Sequence, residues 1–243
     1  MRCPQFTLIT VVWLGAWGAT GLHGEPRAQF NPGAPTSAAT LSNEALSRFA
    51  PQSAPRPKRR VGGDAVPRAR WDHRPAGRIW TRAAISALKA HGRPILQTVP
   101  RDIEQWCPAY PAADLDQRAA FWAGFLSALA KHESTYRQAA VGGGGRWYGL
   151  LQILPATARG YKCTAPSREG LKHGPSNLSC AIRILAVVMP RDKVMASKDT
   201  RWRGVAADWG PMRISAKRED IAGWTRQQKY CRKSGAVRPR MRP

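Results

Sequence analysis

The run KHESTYRQAAVGGGGRWYGLLQILPATA, residues 131–158, carries one carboxylate, Glu133, at the end of an apolar segment and just upstream of four glycines. Counting back three, four and seven residues reaches Ala130, Leu129 and Leu126, so a helix here puts the carboxylate on its own apolar face. The anion is disfavoured among such neighbours, its pKa rises, and the group becomes able to donate a proton near neutral pH. The competing reading is a helix-end acid paired with one of the chain's many arginines. Two other motifs touch the same residues. His132, Glu133 and Tyr136 approach the zinc-protease pattern HExxH, but the second imidazole is absent, so no metal site is expected. Gly142–Gly145 are followed by no Lys-Ser/Thr pair and preceded by no strand, which excludes a phosphate cradle; they read as permissive backbone that lets a loop approach something closely.

The elements that must position Glu133 are short helices. The strongest periodic segment runs from Asp114 to about Ser134, with Phe121, Trp122, Phe125, Leu126, Leu129 and Ala130 forming a wide apolar stripe, and it is expected to be central. Thr81 is placed to cap a first helix, stopped by Gly92 and Pro94, and a second short one is expected from Asp102. Pro155 fits the first turn of a helix ending near Gly160. Asn177 is placed to cap another that Pro190 breaks. Two more are expected, from about Lys198 to Asp208 and from about Lys217 to Gln228. No segment alternates with strand period for long enough to build a sizeable sheet, and there is no internal repeat. The fold class is mainly α.

ESTY at 133–136 followed by GLLQILPATA at 149–158 resembles the soluble lytic transglycosylase (SLT) domain family, whose pattern is Glu-Ser, a gap, Gly-Leu-Met-Gln-Ile and a Pro-x-Thr-Ala helix. NLSCAIRIL at 177–185 is similar to the family's Asn-initiated helix, and the resemblance extends from about Thr81 to Arg213. It implies a lysozyme-like fold and peptidoglycan glycan strands as substrate, with no cofactor. By motif position Glu133 would be the sole catalytic acid/base, Ser134 a hydrogen-bonding neighbour, and Gln152 a polar contact lining the glycan cleft. In the family mechanism the acid protonates the glycosidic oxygen between MurNAc and GlcNAc. It then takes the proton of the sugar's own 6-hydroxyl as that oxygen closes on C1, leaving a 1,6-anhydro product.

The departures from the pattern are specific. Leu151 stands where Met is most frequent, a swap of similar volume. Arg146 and Trp147 occupy positions where a small Gly-Ala pair is usual. The family's Ala-Tyr-Asn-Ala-Gly segment corresponds at best to Ala206-Ala207-Asp208-Trp209-Gly210, so its tyrosine is missing. Tyr148 or Trp209 could replace it or stack on a sugar ring, or could simply be core. Asp208 is the candidate second carboxylate of an ordinary glycosidase, although the family mechanism needs none. Two alternatives to a transglycosylase stay open on the same fold: a catalytically weak peptidoglycan-binding or secretion-accessory protein, and a hydrolytic muramidase.

The 243 residues are 43% hydrophobic, ordinary for one domain with appendages, but 39 Lys+Arg against 15 Asp+Glu give a formal charge of +24. Such a chain seeks polyanions: other acidic envelope polymers are candidate partners beside peptidoglycan, and a secretion apparatus is another. Nucleic acid is the rival partner, but no helix-turn-helix or finger spacing supports it. Residues 1–21, with a basic start, an apolar stretch from Phe6 to about Trp17 and small residues after it, read as a secretory signal peptide, which implies a periplasmic or secreted protein. The alternative is an uncleaved anchor, which the short stretch disfavours. Residues 22–80 read as a disordered Pro/Arg-rich linker, 81–232 as the domain and 233–243 as a basic tail. Beyond the signal, Cys107, Cys163, Cys180 and Cys231 are an even set suited to disulfides; of three connectivities the favoured one joins Cys163 to Cys180 and Cys107 to Cys231. Zinc is the rival, without a CxxC pair to support it.

Overall fold

Helix α3, Leu115–Ser134, is wrapped on nearly every side, with an unbroken buried run from Ala119 to Ala130. Its start follows from Asp114, whose Oδ1 accepts the Gln117 N–H at 2.7 Å while the Gln117 side chain accepts the Asp114 N–H at 3.3 Å, a reciprocal cap. Its end is Thr135 at φ 50, and Tyr136 follows at φ 60. Around its first half Trp106, Tyr110, Phe121, Trp122 and Phe125 meet edge to face with centroids 5.2–5.7 Å apart, and Trp122 Nε1 donates to the Tyr110 hydroxyl at 2.9 Å. This computed structural model describes residues 66–233. The expected signal peptide, the linker up to residue 65 and the tail from residue 234 lie outside them.

The other elements are α1 (Gly77–Lys89), α2 (Arg93–Gln97), the hairpin β1 (Val141–Gly142) and β2 (Trp147–Tyr148), α4 (Pro155–Gly160), α5 (Arg168–Leu171), α6 (Gly174–Asp192), the hairpin β3 (Ala196–Lys198) and β4 (Trp202–Gly204), α7 (Val205–Asp208) and α8 (Ser215–Arg226). Single 3-10 turns at Ile103–Gln105, Tyr110–Ala112, Gly210–Arg213 and Lys229–Cys231 fill the joints. The fold is mainly α, as its apolar periodicity implies. Helices α1 and α2 pack on α6, and α8 packs on α3. No helix of the described residues is long and apolar enough to cross a membrane.

Several boundaries differ from the sequence reading, each for an identifiable reason. The folded part begins by residue 66 instead of 81. Trp71 is fully buried and its Nε1 donates to Thr81 Oγ1 at 2.8 Å, Ala69 is buried, and the Arg70 N–H donates to Ser127 Oγ at 2.7 Å. Burying one indole contributes on the order of 4 kcal/mol, enough to hold a segment whose Pro- and Arg-rich composition mimics a linker. Thr81 is therefore inside α1 as the acceptor for that tryptophan, not a cap.

Asn177 likewise sits inside α6, which begins at Gly174 with a proline in its first turn; Pro190 lies in the last turn, which closes at Asp192. The helix expected over 198–208 is instead the hairpin β3–β4 with the one-turn α7. Asp199 Oδ1 accepts the Arg201 N–H at 2.9 Å and makes the turn. Asp102 accepts the N–H groups of Met195 and Ala196, and Asp192 that of Gly204, so carboxylates from two distant segments fix the hairpin. Asp102 itself precedes a single 3-10 turn where a helix was expected.

Both disulfides are present in the favoured pairing, Cys107–Cys231 across 124 residues and Cys163–Cys180 across 17.

Candidate active site

Glu133 is the penultimate residue of α3 and is partly buried. Burial pushes its carboxyl up to about 7, opposed by the nearby Lys217 ammonium, and among the described residues no side chain hydrogen-bonds or pairs with it. Lys217 arrives from α8. That helix runs antiparallel to α3: Asp220 meets Lys131 and His132 near the end of α3, while Trp224 lies over Gly124, earlier in it. Lys217, one turn before Asp220, thus falls beside the C-terminal end of α3. Sequence reading missed it, because only the pairing of two helices far apart in the chain brings it there.

Asp220 is the hub of that pairing. It takes a bidentate Arg70 at 2.7 and 2.9 Å, His132 Nε2 at 2.7 Å and Lys131 at 3.2 Å, and the Arg70 guanidinium foremost holds its carboxyl far below the usual carboxylate range. His132, the first residue of the HExxH-like run, is therefore committed to Asp220, and desolvation lowers its pKa.

From Glu133 the chain passes through two tight turns, with Arg137 N donating to Ser134 O and Ala140 N to Arg137 O. The Ala140 carbonyl then receives the Gly149 N–H at 2.9 Å and Gln152 Nε2 at 3.3 Å. Gln152 Nε2 also donates to Gly149 O at 2.9 Å, and Gln152 itself adopts φ 46. Tyr136, three residues after Glu133, and Gln152, bonded to Ala140 and Gly149, are both held in the left-handed region, a cost of order 1–2 kcal/mol each that the surrounding bonds sustain. Asn177 clamps the wall behind Gln152: its Oδ1 accepts the Leu151 N–H, and its Nδ2 donates to Tyr148 O and Leu171 O, all at 2.9–3.0 Å. Gly149, at φ 85, is required there, since a Cβ would lie 2.2 Å from Asn177 Nδ2.

The remaining expected site residues divide. Ser134 is buried and its hydroxyl donates to Ala130 O at 3.3 Å, a bond within its own helix. Tyr148 is buried, with its hydroxyl donating to Gly145 O, and Trp209 is buried, with Nε1 donating to Leu151 O at 3.1 Å. Neither ring has a face free for a sugar. Asp208 is exposed and lies in a separate group with Tyr161, Arg191, Asp192 and Arg213, and Glu133 is not among the charges that act on it. A cavity of about 1100 Å³ lies around Arg68, Arg82, Lys89 and Asp116 and includes none of these residues.

Residues 112–204 match the Transglycosylase SLT domain, a span that begins before α3 and ends with β4. The solved structure of wild-type DslA, form 2, is 30% identical, with a TM-score of 0.63 over 68% of this chain and 98% of that one. The chain belongs to the SLT transglycosylase-domain family. Two glutamate-to-glutamine mutants of DslA match this SLT domain at TM-score 0.62, one 30% identical over 68% and 97% of the two chains, the other 28% identical over 70% and 100%. No curated protein matches. The SLT domain is a lysozyme-like fold of an enzyme family that acts on the cell wall, and it implies peptidoglycan as the substrate.

Proposed function

We propose that this protein is a peptidoglycan lytic transglycosylase that cleaves the β-1,4 bond between MurNAc and GlcNAc, with Glu133 as the sole general acid/base. The observation that carries the reading is a carboxyl without a hydrogen-bond or ion-pair partner among the described residues, raised to about 7 by burial, on the domain that this family uses for glycan cleavage. A group with that pKa is populated in both protonation states near neutrality, as a residue must be if it gives a proton and then takes one. Glu133 would protonate the leaving glycosidic oxygen while the C1–O bond breaks. The sugar's 6-hydroxyl oxygen would then close on C1 and return its proton to the Glu133 carboxylate, forming the 1,6-anhydro ring with no water consumed. Asp208 stands among other charges, and Asp220 is an anion held by the Arg70 and Lys131 cations and hydrogen-bonded to His132, which favours a one-carboxyl mechanism over a two-carboxyl hydrolase. Gln152 would line the groove.

The natural setting of this activity is the periplasm or the cell exterior, where the disulfides are stable. The test is digestion of purified sacculi with mass spectrometry of the soluble products. The wild type should release anhydromuropeptides, and Glu133→Gln should release about a thousandfold less or none while keeping its fold. Reducing-end products without the anhydro ring would identify a muramidase, and sacculus binding without any product a catalytically weak binding protein.

A further inference from the structure

The described residues include eight tryptophans, and Trp147 is the exposed one, at 39%. A single exposed apolar side chain is ordinary. This one is built in. The hairpin β1–β2 closes through a four-residue loop in which the N–H groups of Gly145 and Arg146 both donate to Gly142 O. Its backbone is cleared for the indole: at Gly143, φ 56, an added Cβ would lie 1.8 Å from two ring carbons of Trp147. Arg146 is pinned beside it, with Nε donating to Gly143 O at 3.1 Å and the guanidinium carbon 5.0 Å from the ring centroid. Its two Nη groups make no hydrogen bond among the described residues. Val141, on the paired strand, is 51% exposed. The loop also adjoins the wall of the site, because Gln152 Oε1 occupies the space that a Cβ at Gly142 would need.

We propose that the Arg146–Trp147 pair is a glycan-binding subsite, in which the Trp147 ring packs on the C–H face of a pyranose and the Arg146 Nη groups take a carboxylate of the same strand, such as the lactyl carboxylate of a MurNAc that bears no peptide. This rests on the peptidoglycan reading and extends it, since the family pattern has two small residues here. An aromatic face supplies affinity without regard to charge. A guanidinium with two free nitrogens selects for a planar anion. The pair therefore divides the work, Trp147 holding any amino-sugar chain and Arg146 favouring the one with carboxylates.

The test is calorimetric binding of two probes, neutral chitotetraose and a GlcNAc-MurNAc tetrasaccharide, to the full chain carrying Glu133→Gln so that neither is turned over. Trp147→Ala should weaken both by about five- to tenfold, and Trp147→Phe should restore most of the loss. Arg146→Gln should weaken only the MurNAc probe, by about threefold or more. Gly143→Ala, which leaves the indole in the chain but displaces it, should resemble Trp147→Ala, and unchanged melting temperatures separate lost contact from lost fold. Affinity unchanged in Trp147→Ala, or no binding of either probe by the parent, overturns the subsite. Binding that depends on Trp147 while the wild type releases no product from sacculi leaves the subsite standing and removes the transglycosylase reading.

Discussion

Glu133 has a folded-state pKa near 7 against a usual 4.5, and the sign of its effect on stability follows. Between those values the folded state holds a proton that the unfolded state has released, so stability falls as pH rises from 4.5 to 7 and the cost is complete above that. Glu133→Gln removes the cost. The variant should exceed wild type by up to about 3 kcal/mol in urea unfolding at pH 8 and match it at pH 4, and equal stability at both would mean that the carboxylate is well solvated. Lys217 acts in the other direction by favouring the anion, so Lys217→Met should move the falling alkaline limb of the pH–rate profile upward by about half a unit or more. A limb that stays put or moves down would remove Lys217 from the site. The acid was legible in sequence because its apolar neighbours are i−3, i−4 and i−7 on one helix. Lys217 was not, because charge contacts between helices leave no local spacing.

At the scale of elements, one carboxylate holds together α3, α8 and the segment before α1. Asp220→Asn keeps the shape but gives up the charge that Arg70, Lys131 and His132 share. About one third of the Asp220 side chain remains exposed, so solvent screening reduces the effect to about 1–2 kcal/mol at pH 6. Because the Asp220 pKa is depressed, that stabilisation is present above the usual carboxylate range and is lost as pH falls. The difference in thermal stability between wild type and Asp220→Asn should therefore shrink toward pH 2; a gap constant with pH would assign it to packing. Helices α3, α4 and α8 were legible because caps, prolines and apolar spacing agree locally. The β3–β4 hairpin and the Trp71 segment were not. The first depends on Asp102 and Asp192 bonding across the chain, and the second on one indole finding Thr81. The four glycines were read as permissive backbone for a close approach, and they form a shaped turn whose second member is cut away for Trp147.

On the scale of the whole molecule, the formal charge of +24 draws the chain to acidic polymers whatever its chemistry, so binding to sacculi should be judged at several salt concentrations. The covalent arrangement separates one property from another. Cys107 and Cys231 close a ring that contains Glu133, Gln152, Trp147 and Lys217 alike, so every residue assigned to the site is threaded on one covalent circle. A protease that nicks the exposed glycine turn between β1 and β2 opens that circle without releasing a fragment. The cut protein stays in one piece until it is reduced, its two segments tethered through Cys107–Cys231.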